Sequence, residues 1–217
     1  MERRTTADEG IGAWLEALAS TGPNPGGGAA AALMAGVAAA LAEMVVAYRK
    51  TPDAPEAERR ERALAAFAAA VREAAPDMAD RDTEVASGFA EAESRSEPEE
   101  RAAAKREASM AAAGSSAALG RFATTLVPVL RELAEDTGRL MLADVGIAAA
   151  ALSAATRAAA LNICADLARA EESGRADLIA AVDELDAATR ELDAVAERVR
   201  SQLTPASGGT PGATARP

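Results

Sequence analysis

Three acids and a run of glycines are the parts of this chain best equipped for chemistry. Asp77-Met78-Ala79-Asp80-Arg81-Asp82-Thr83-Glu84 is its densest polar cluster, set in a stretch otherwise rich in alanine. On a helix Asp80 and Glu84 fall one turn apart on one face, as do Asp77 and Arg81. The cluster reads either as a proton-transfer group or as a solvated acidic face. Asp144 stands alone among uncharged neighbours in Leu140-Met141-Leu142-Ala143-Asp144-Val145-Gly146-Ile147. It is either a helix N-cap or a partly buried carboxylate, and capping is the commoner use. Histidine is absent and Cys164 is the one cysteine. Ser-His-Asp and Cys-His systems, histidine-ligated zinc and thiolate metal sites are therefore excluded, and no metal centre is expected. Proton transfer falls to Asp, Glu, Lys, Tyr or bound water.

The glycines lie in Pro23-Asn24-Pro25-Gly26-Gly27-Gly28, directly before an alanine-rich run from Ala29 to Tyr48. The prolines stop a preceding helix, and the glycines permit a tight turn with uncovered N–H groups. A helix beginning there adds unpaired N–H groups and the positive end of its dipole, which suits an anionic or carbonyl-bearing ligand. A plain inter-helix turn with close packing fits the same residues. Asn162, in Ala158-Ala159-Ala160-Leu161-Asn162-Ile163, is a polar residue fit to hydrogen-bond a neighbouring helix, and Cys164 reads as a small core residue.

Helices must position these groups. The periodicity predicts helices over residues 6–19, 29–48, from the loop at 51–55 to about 75, and 77–93. Pro76 is expected to interrupt or kink the third of them. A further helix from about Glu99 to Asp136 should kink or break near Thr124, because Pro128 lies inside it. Met141–Ala170 is expected to be central, and Gly174–Leu203 to pack along a seam. On this last helix Leu178, Val182, Leu185, Thr189, Leu192, Ala196, Val199 and Leu203 alternate spacings of four and three. On the second helix Leu33, Val37, Leu41, Met44 and Tyr48 form one stripe. The fold class is all-α, an up-and-down bundle of long alanine-rich helices forming one domain over residues 1–203. Residues 204–217, rich in Pro, Gly, Ser and Thr, should be a disordered tail.

The 217 residues carry a net charge of −11. That balance, with few aromatics, argues against nucleic acid or an anionic membrane as partner. The run from Ala29 to Ala42 is uncharged but short and closed by Glu43, so it reads as a buried helix rather than a membrane span. The lone cysteine and the absence of a signal-like start fit a reducing, cytoplasmic setting.

Trp14-Leu15-Glu16-Ala17-Leu18-Ala19-Ser20, the Pro-Gly segment, Ala31-Ala32-Leu33, Gly36 and Met44-Val45 together resemble the opening of the formiminotetrahydrofolate cyclodeaminase / methenyltetrahydrofolate cyclohydrolase family. Asp80-Arg81-Asp82 resembles that family's Asp-x-Asp segment. Asp144-Val145-Gly146-Ile147-Ala148-Ala149 is similar to its Ser-Asp-x-x-Val-Ala segment, and Ala159-Ala160-Leu161-Asn162-Ile163 to its Ala-Ala-x-Asn-Val segment. The order holds from about Ile11 to Leu167. The resemblance implies a soluble helical homodimer whose partner molecule is a reduced folate, with no cofactor beyond the tetrahydrofolate substrate. It implies an enzyme that closes 5-formiminotetrahydrofolate with loss of ammonia or hydrolyses the methenyl bridge. Asp82 would be the general acid/base, with Asp80 as the alternate. Asp144 would fix the pterin or order the site, with Asn162 in support, and Pro25, Gly26, Gly27, Gly28 and Lys50 would bind substrate. The chain departs from the family pattern in having Ala29 where a serine usually follows the glycines and Gly138-Arg139 for a Gly-Asn pair. Its Tyr48-Arg49-Lys50-Thr51-Pro52 is only partly basic where a lysine-rich segment is usual. Two other readings stay open: a relative on the same scaffold that takes a different heterocycle, and a non-catalytic helical interaction protein.

Overall fold

A computed structural model describes residues 5–21, 25–49, 54–168 and 174–204. Seven helices occupy them: α1 (Ile11–Leu18), α2 (Gly27–Tyr48), α3 (Pro55–Glu93), α4 (Pro98–Thr124), α5 (Val127–Asp136), α6 (Arg139–Leu167) and α7 (Arg175–Leu203). No strand occurs among the described residues. The all-α expectation holds. The expected tail lies outside the described residues from position 205 onward.

Alanine sets the architecture. Ala31, Ala32, Ala35, Ala38, Ala39 and Ala42 of α2 are fully buried, so neighbouring helices approach nearly to backbone contact. At Gly36 a Cβ would stand 2.8 Å from the Ala75 Cβ of α3. The larger side chains lie deeper, where Leu126, Leu130, Leu133, Leu152 and Leu192 are fully buried between α5, α6 and α7. α7 packs on α6 along the predicted seam, with Leu178, Leu185, Thr189, Leu192 and Val199 buried. Polar links cross that seam as well: Ser153 Oγ donates to Asp193 at 2.5 Å, the Thr156 and Thr189 hydroxyls meet at 2.8 Å, and Arg157 pairs with Asp193.

Several boundaries differ from expectation, each for a local reason. α1 begins at Ile11 rather than residue 6, because Thr6 uses its N–H and hydroxyl on Asp80 of α3. Pro76 does not end the third helix, which runs unbroken from Pro55 to Glu93. The break before Pro128 is present: α4 stops at Thr124 and the proline sits in the first turn of α5, where its missing N–H leaves no bond unmade. The stripe on α2 faces the core only in part, with Leu33 and Leu41 packed against its edges. Val37 and Tyr48 are exposed and Leu33, Leu41 and Met44 half-buried, because the alanine face packs inward. Cys164 is exposed, not a core residue. α2 and α6 are long and apolar enough to cross a membrane, and about half of each apolar stretch is buried inside the fold.

α2 runs antiparallel to α3 and to α6. Gly28 meets Asp82 while Arg49 meets Glu61, and Gly27 meets Asn162 while Tyr48 shares a cleft with Leu140. The candidate residues are thereby sorted to the two ends of α2.

Candidate functional site

The glycine segment caps α2 without a side chain. Gly26 is the N-cap in extended backbone (φ −125°, ψ −164°), and its neighbour Gly27 opens the helix. Pro23 and Asn24 lie outside the described residues. Conformational freedom is not what Gly26, Gly27 and Gly28 supply: among the described residues only Gly174 has a positive φ. Gly28 supplies space. A methyl group there would overlap the Asp82 carboxyl group of α3. At Gly27 the same addition would stand 3.8 Å from Asn162 Oδ1 of α6, an ordinary contact, and at Gly26 it would meet nothing within 4 Å.

Asp82 takes over the cap. The Ala29 N–H, at the third helical position, donates to its carboxylate. An acid from α3 thus satisfies a first-turn amide that a local serine or aspartate commonly takes. Burial raises the Asp82 carboxyl above the ordinary carboxylate range, and the Ala29 N–H pulls in the opposite direction but more weakly. No ion-pair partner for Asp82 occurs among the described residues. The result is a half-buried carboxyl group with a raised proton affinity, held against the positive end of a helix. Such a group holds a proton more readily than an exposed carboxylate and has the chemistry of a general acid/base.

The other candidates divide. Asn162 joins Asp82 at the start of α2 through its approach to Gly27. Asp80 is turned elsewhere. Two residues on a helix are about 200° apart, and its Oδ1 accepts from the Thr6 N–H at 2.9 Å and the Thr6 hydroxyl at 2.5 Å. It ties down the segment ahead of α1. Asp144 is not an N-cap. Gly138 caps α6, and Asp144 lies half-buried in the second turn. Eighteen residues of helix separate it from Asn162, or about 27 Å, so within one chain it does not reach Asp82. Lys50 lies outside the described residues.

Near Asp144, at the other end of α2, is a cleft of about 570 Å³ that includes Arg49, Arg60, Glu61, Asp136, Thr137 and Leu140 in its lining. The Arg49 side chain is 14% exposed and lies 3.4 Å from Glu61 and 3.7 Å from Asp136. Arg49 Nη1, Glu61 Oε2 and Thr137 Oγ1 are buried without a hydrogen-bond partner. The sequence pointed to this region through Tyr48-Arg49-Lys50 and Gly138-Arg139. Glu61 and Thr137 carry no motif, and only the antiparallel packing brings them to Arg49.

The formiminotransferase-cyclodeaminase family matches residues 10–184. The chain belongs to that family. Among solved structures it is similar to formiminotetrahydrofolate cyclodeaminase from Thermotoga maritima, with 23% identity and a TM-score of 0.76 over 91% of this chain and 96% of that one. No curated protein matches it by sequence. Membership accounts for the shared helical scaffold, and the matched span includes Gly28, Asp82, Asp144 and Asn162.

Proposed function

We propose that this formiminotransferase-cyclodeaminase family member is a folate one-carbon enzyme acting on the N5/N10 bridge of tetrahydrofolate, with Asp82 as general acid/base. In the deaminating direction N10 attacks the carbon of the formimino group on N5, whose nitrogen has taken a proton from solvent, to give a tetrahedral centre. Asp82 takes the N10 proton and returns it to the leaving nitrogen, so that ammonia departs and the methenyl cation remains. In the hydrolytic direction the same carboxylate takes a proton from the water that adds to the methenyl carbon, and the C–N5 bond then breaks. Both directions pass through cationic amidine character, which a nearby carboxylate stabilises. The observation that carries this reading is the Asp82 carboxyl group, its proton affinity raised by burial, seated on Gly28 and the Ala29 N–H. Asn162, beside Gly27, is the second ligand-facing group, and the working form is read as a homodimer.

The test is spectroscopic. Purified protein is mixed with 5-formiminotetrahydrofolate and, separately, with 5,10-methenyltetrahydrofolate, and the methenyl absorbance is followed. Enzymatic gain or loss of that band is expected with one or both. A folded protein that changes neither rate above buffer removes the proposal.

A further inference from the structure

The side of α3 that meets α2 carries Ala75, Asp82 and Phe89, spaced seven residues apart. Seven residues turn a helix through about 700°, so the three point the same way to within a few tens of degrees. Ala75 faces Gly36 of α2, and Asp82 faces Gly28, eight residues nearer the start of that helix. One more step along α3 passes Gly27, the first residue of α2. Phe89 is therefore level with no part of α2. It is half-buried, yet it packs against none of the apolar core clusters among the described residues. Phe122, by contrast, packs against the main core. Ala86 lies between Asp82 and Phe89 on the same side of α3, one turn from each. Its small side chain leaves a recess between the carboxyl group and the aromatic ring. Glu93, one turn beyond Phe89, is occupied by Lys105 of α4.

We propose that Phe89 is a substrate-binding residue: the p-aminobenzoyl ring of a reduced folate stacks on it while the N5/N10 bridge lies at Asp82. The proposal rests on the folate reading for the identity of the ring.

Reach and polarity select this ring. Asp82 and Phe89 are about 10.5 Å apart along α3. The p-aminobenzoyl ring is bonded directly to N10, so one molecule can place its bridge at the acid and this ring in the recess. The pterin, on the N5 side of the bridge, has amide and amino edges that need hydrogen-bond partners. Those partners lie on the α2 and α6 side of Asp82, where Asn162 approaches Gly27 and the opening amides of α2 have no intrahelical acceptor. The Phe89 side offers a methyl group and an aromatic face, which suit a ring with apolar faces and edges. Offset stacking on Phe89 also fixes the plane of the ring, and with it the direction from which N10 approaches the reacting carbon.

The test compares Phe89→Leu and Phe89→Tyr with Phe67→Leu, a change at a 39% exposed phenylalanine about 33 Å away along α3. Phe89→Leu keeps apolar bulk and loses the aromatic face. It should raise the KM for the folate that is turned over by about 3- to 10-fold, with kcat within about threefold. Calorimetry should show the same fold-change in the Kd of tetrahydrofolate and of p-aminobenzoylglutamate, and none in the Kd of 6-methyltetrahydropterin. Phe89→Tyr and Phe67→Leu should keep wild-type values throughout. Phe89→Leu with a lowered melting temperature but unchanged KM and Kd makes Phe89 a structural residue and overturns the proposal. A loss confined to 6-methyltetrahydropterin overturns it too, by placing the pterin on Phe89. A wild type that turns over neither folate defeats the proposed function. In that case Phe89-dependent binding of p-aminobenzoylglutamate still upholds the stacking, and its absence overturns both.

Discussion

The two ends of α2 are built on opposite principles. At its start, an acid approaches so closely that only glycine fits beneath it, and the helix amide of Ala29 meets the carboxylate. At its end, Arg49 is held among Glu61 and Asp136 in a roomier cleft, and three buried polar atoms lack hydrogen bonds. Among the described residues Asp82 at the first end has no ion-pair partner; the second end has cations and unfilled bonding capacity. Close packing fixes the position of a reacting group, whereas unfilled bonding capacity suits recognition. On the proposed reading, the difference gives chemistry to the Asp82 end and ligand holding to the Arg49 end.

Gly28→Ala strikes this contrast hardest. The new methyl must displace Asp82, and a misplacement of about 1 Å is enough for an activity loss on the order of 100-fold. Overpacking should also lower stability by about 1–3 kcal/mol in denaturant titration. Gly27→Ala is the control, because its added methyl meets only an ordinary contact, and it should change stability by less than about 0.5 kcal/mol. Equal behaviour of the two variants would break the claim that space at Gly28 is what matters.

Arg49→Ala tests the other end. It strands the buried Glu61 carboxylate and should cost about 1–3 kcal/mol of stability. In steady-state kinetics it should raise KM by about tenfold, while kcat stays within about threefold. A selective fall in kcat would assign the Arg49 end to the chemistry and erase the contrast.

Asp82→Asn should make the protein more stable at neutral pH. The folded state holds this proton more tightly than the unfolded chain, since burial raises the carboxyl group. The wild type therefore loses stability as pH rises from the ordinary carboxylate range through the raised folded value. The variant has no such loss and keeps an oxygen for the Ala29 N–H. Melting curves of the two should converge at about pH 3 and separate, with the variant higher, by about pH 7.

Asp80→Asn should do least. It leaves an acceptor for Thr6, so activity should stay within about threefold and stability within about 1 kcal/mol.

Much of this was legible in the sequence, and the failures have physical causes. The helices follow from apolar spacing, and the α4–α5 break follows from Pro128, because both are local properties. Pro76 does not interrupt α3, since its lost hydrogen bond is tolerated within a helix held along its length by α2 and α4. The α2 stripe did not reveal which face is buried. In a bundle this tight the alanines go inside, and Val37 and Tyr48 are left outside. The glycines were found, but their use was not: a turn needs conformational freedom, whereas Gly28 makes room for an acid 54 positions away. The cleft at Arg49 was least visible, since Glu61 and Thr137 meet it only through tertiary packing.

The most direct test of the central claim is the kcat of Asp82→Asn on whichever reduced folate the wild type turns over, measured on protein with unchanged helical circular dichroism. Loss of a general acid/base predicts a fall of about 10²- to 10⁴-fold. A variant that retains the wild-type kcat would contradict the account and reduce Asp82 to a cap for α2.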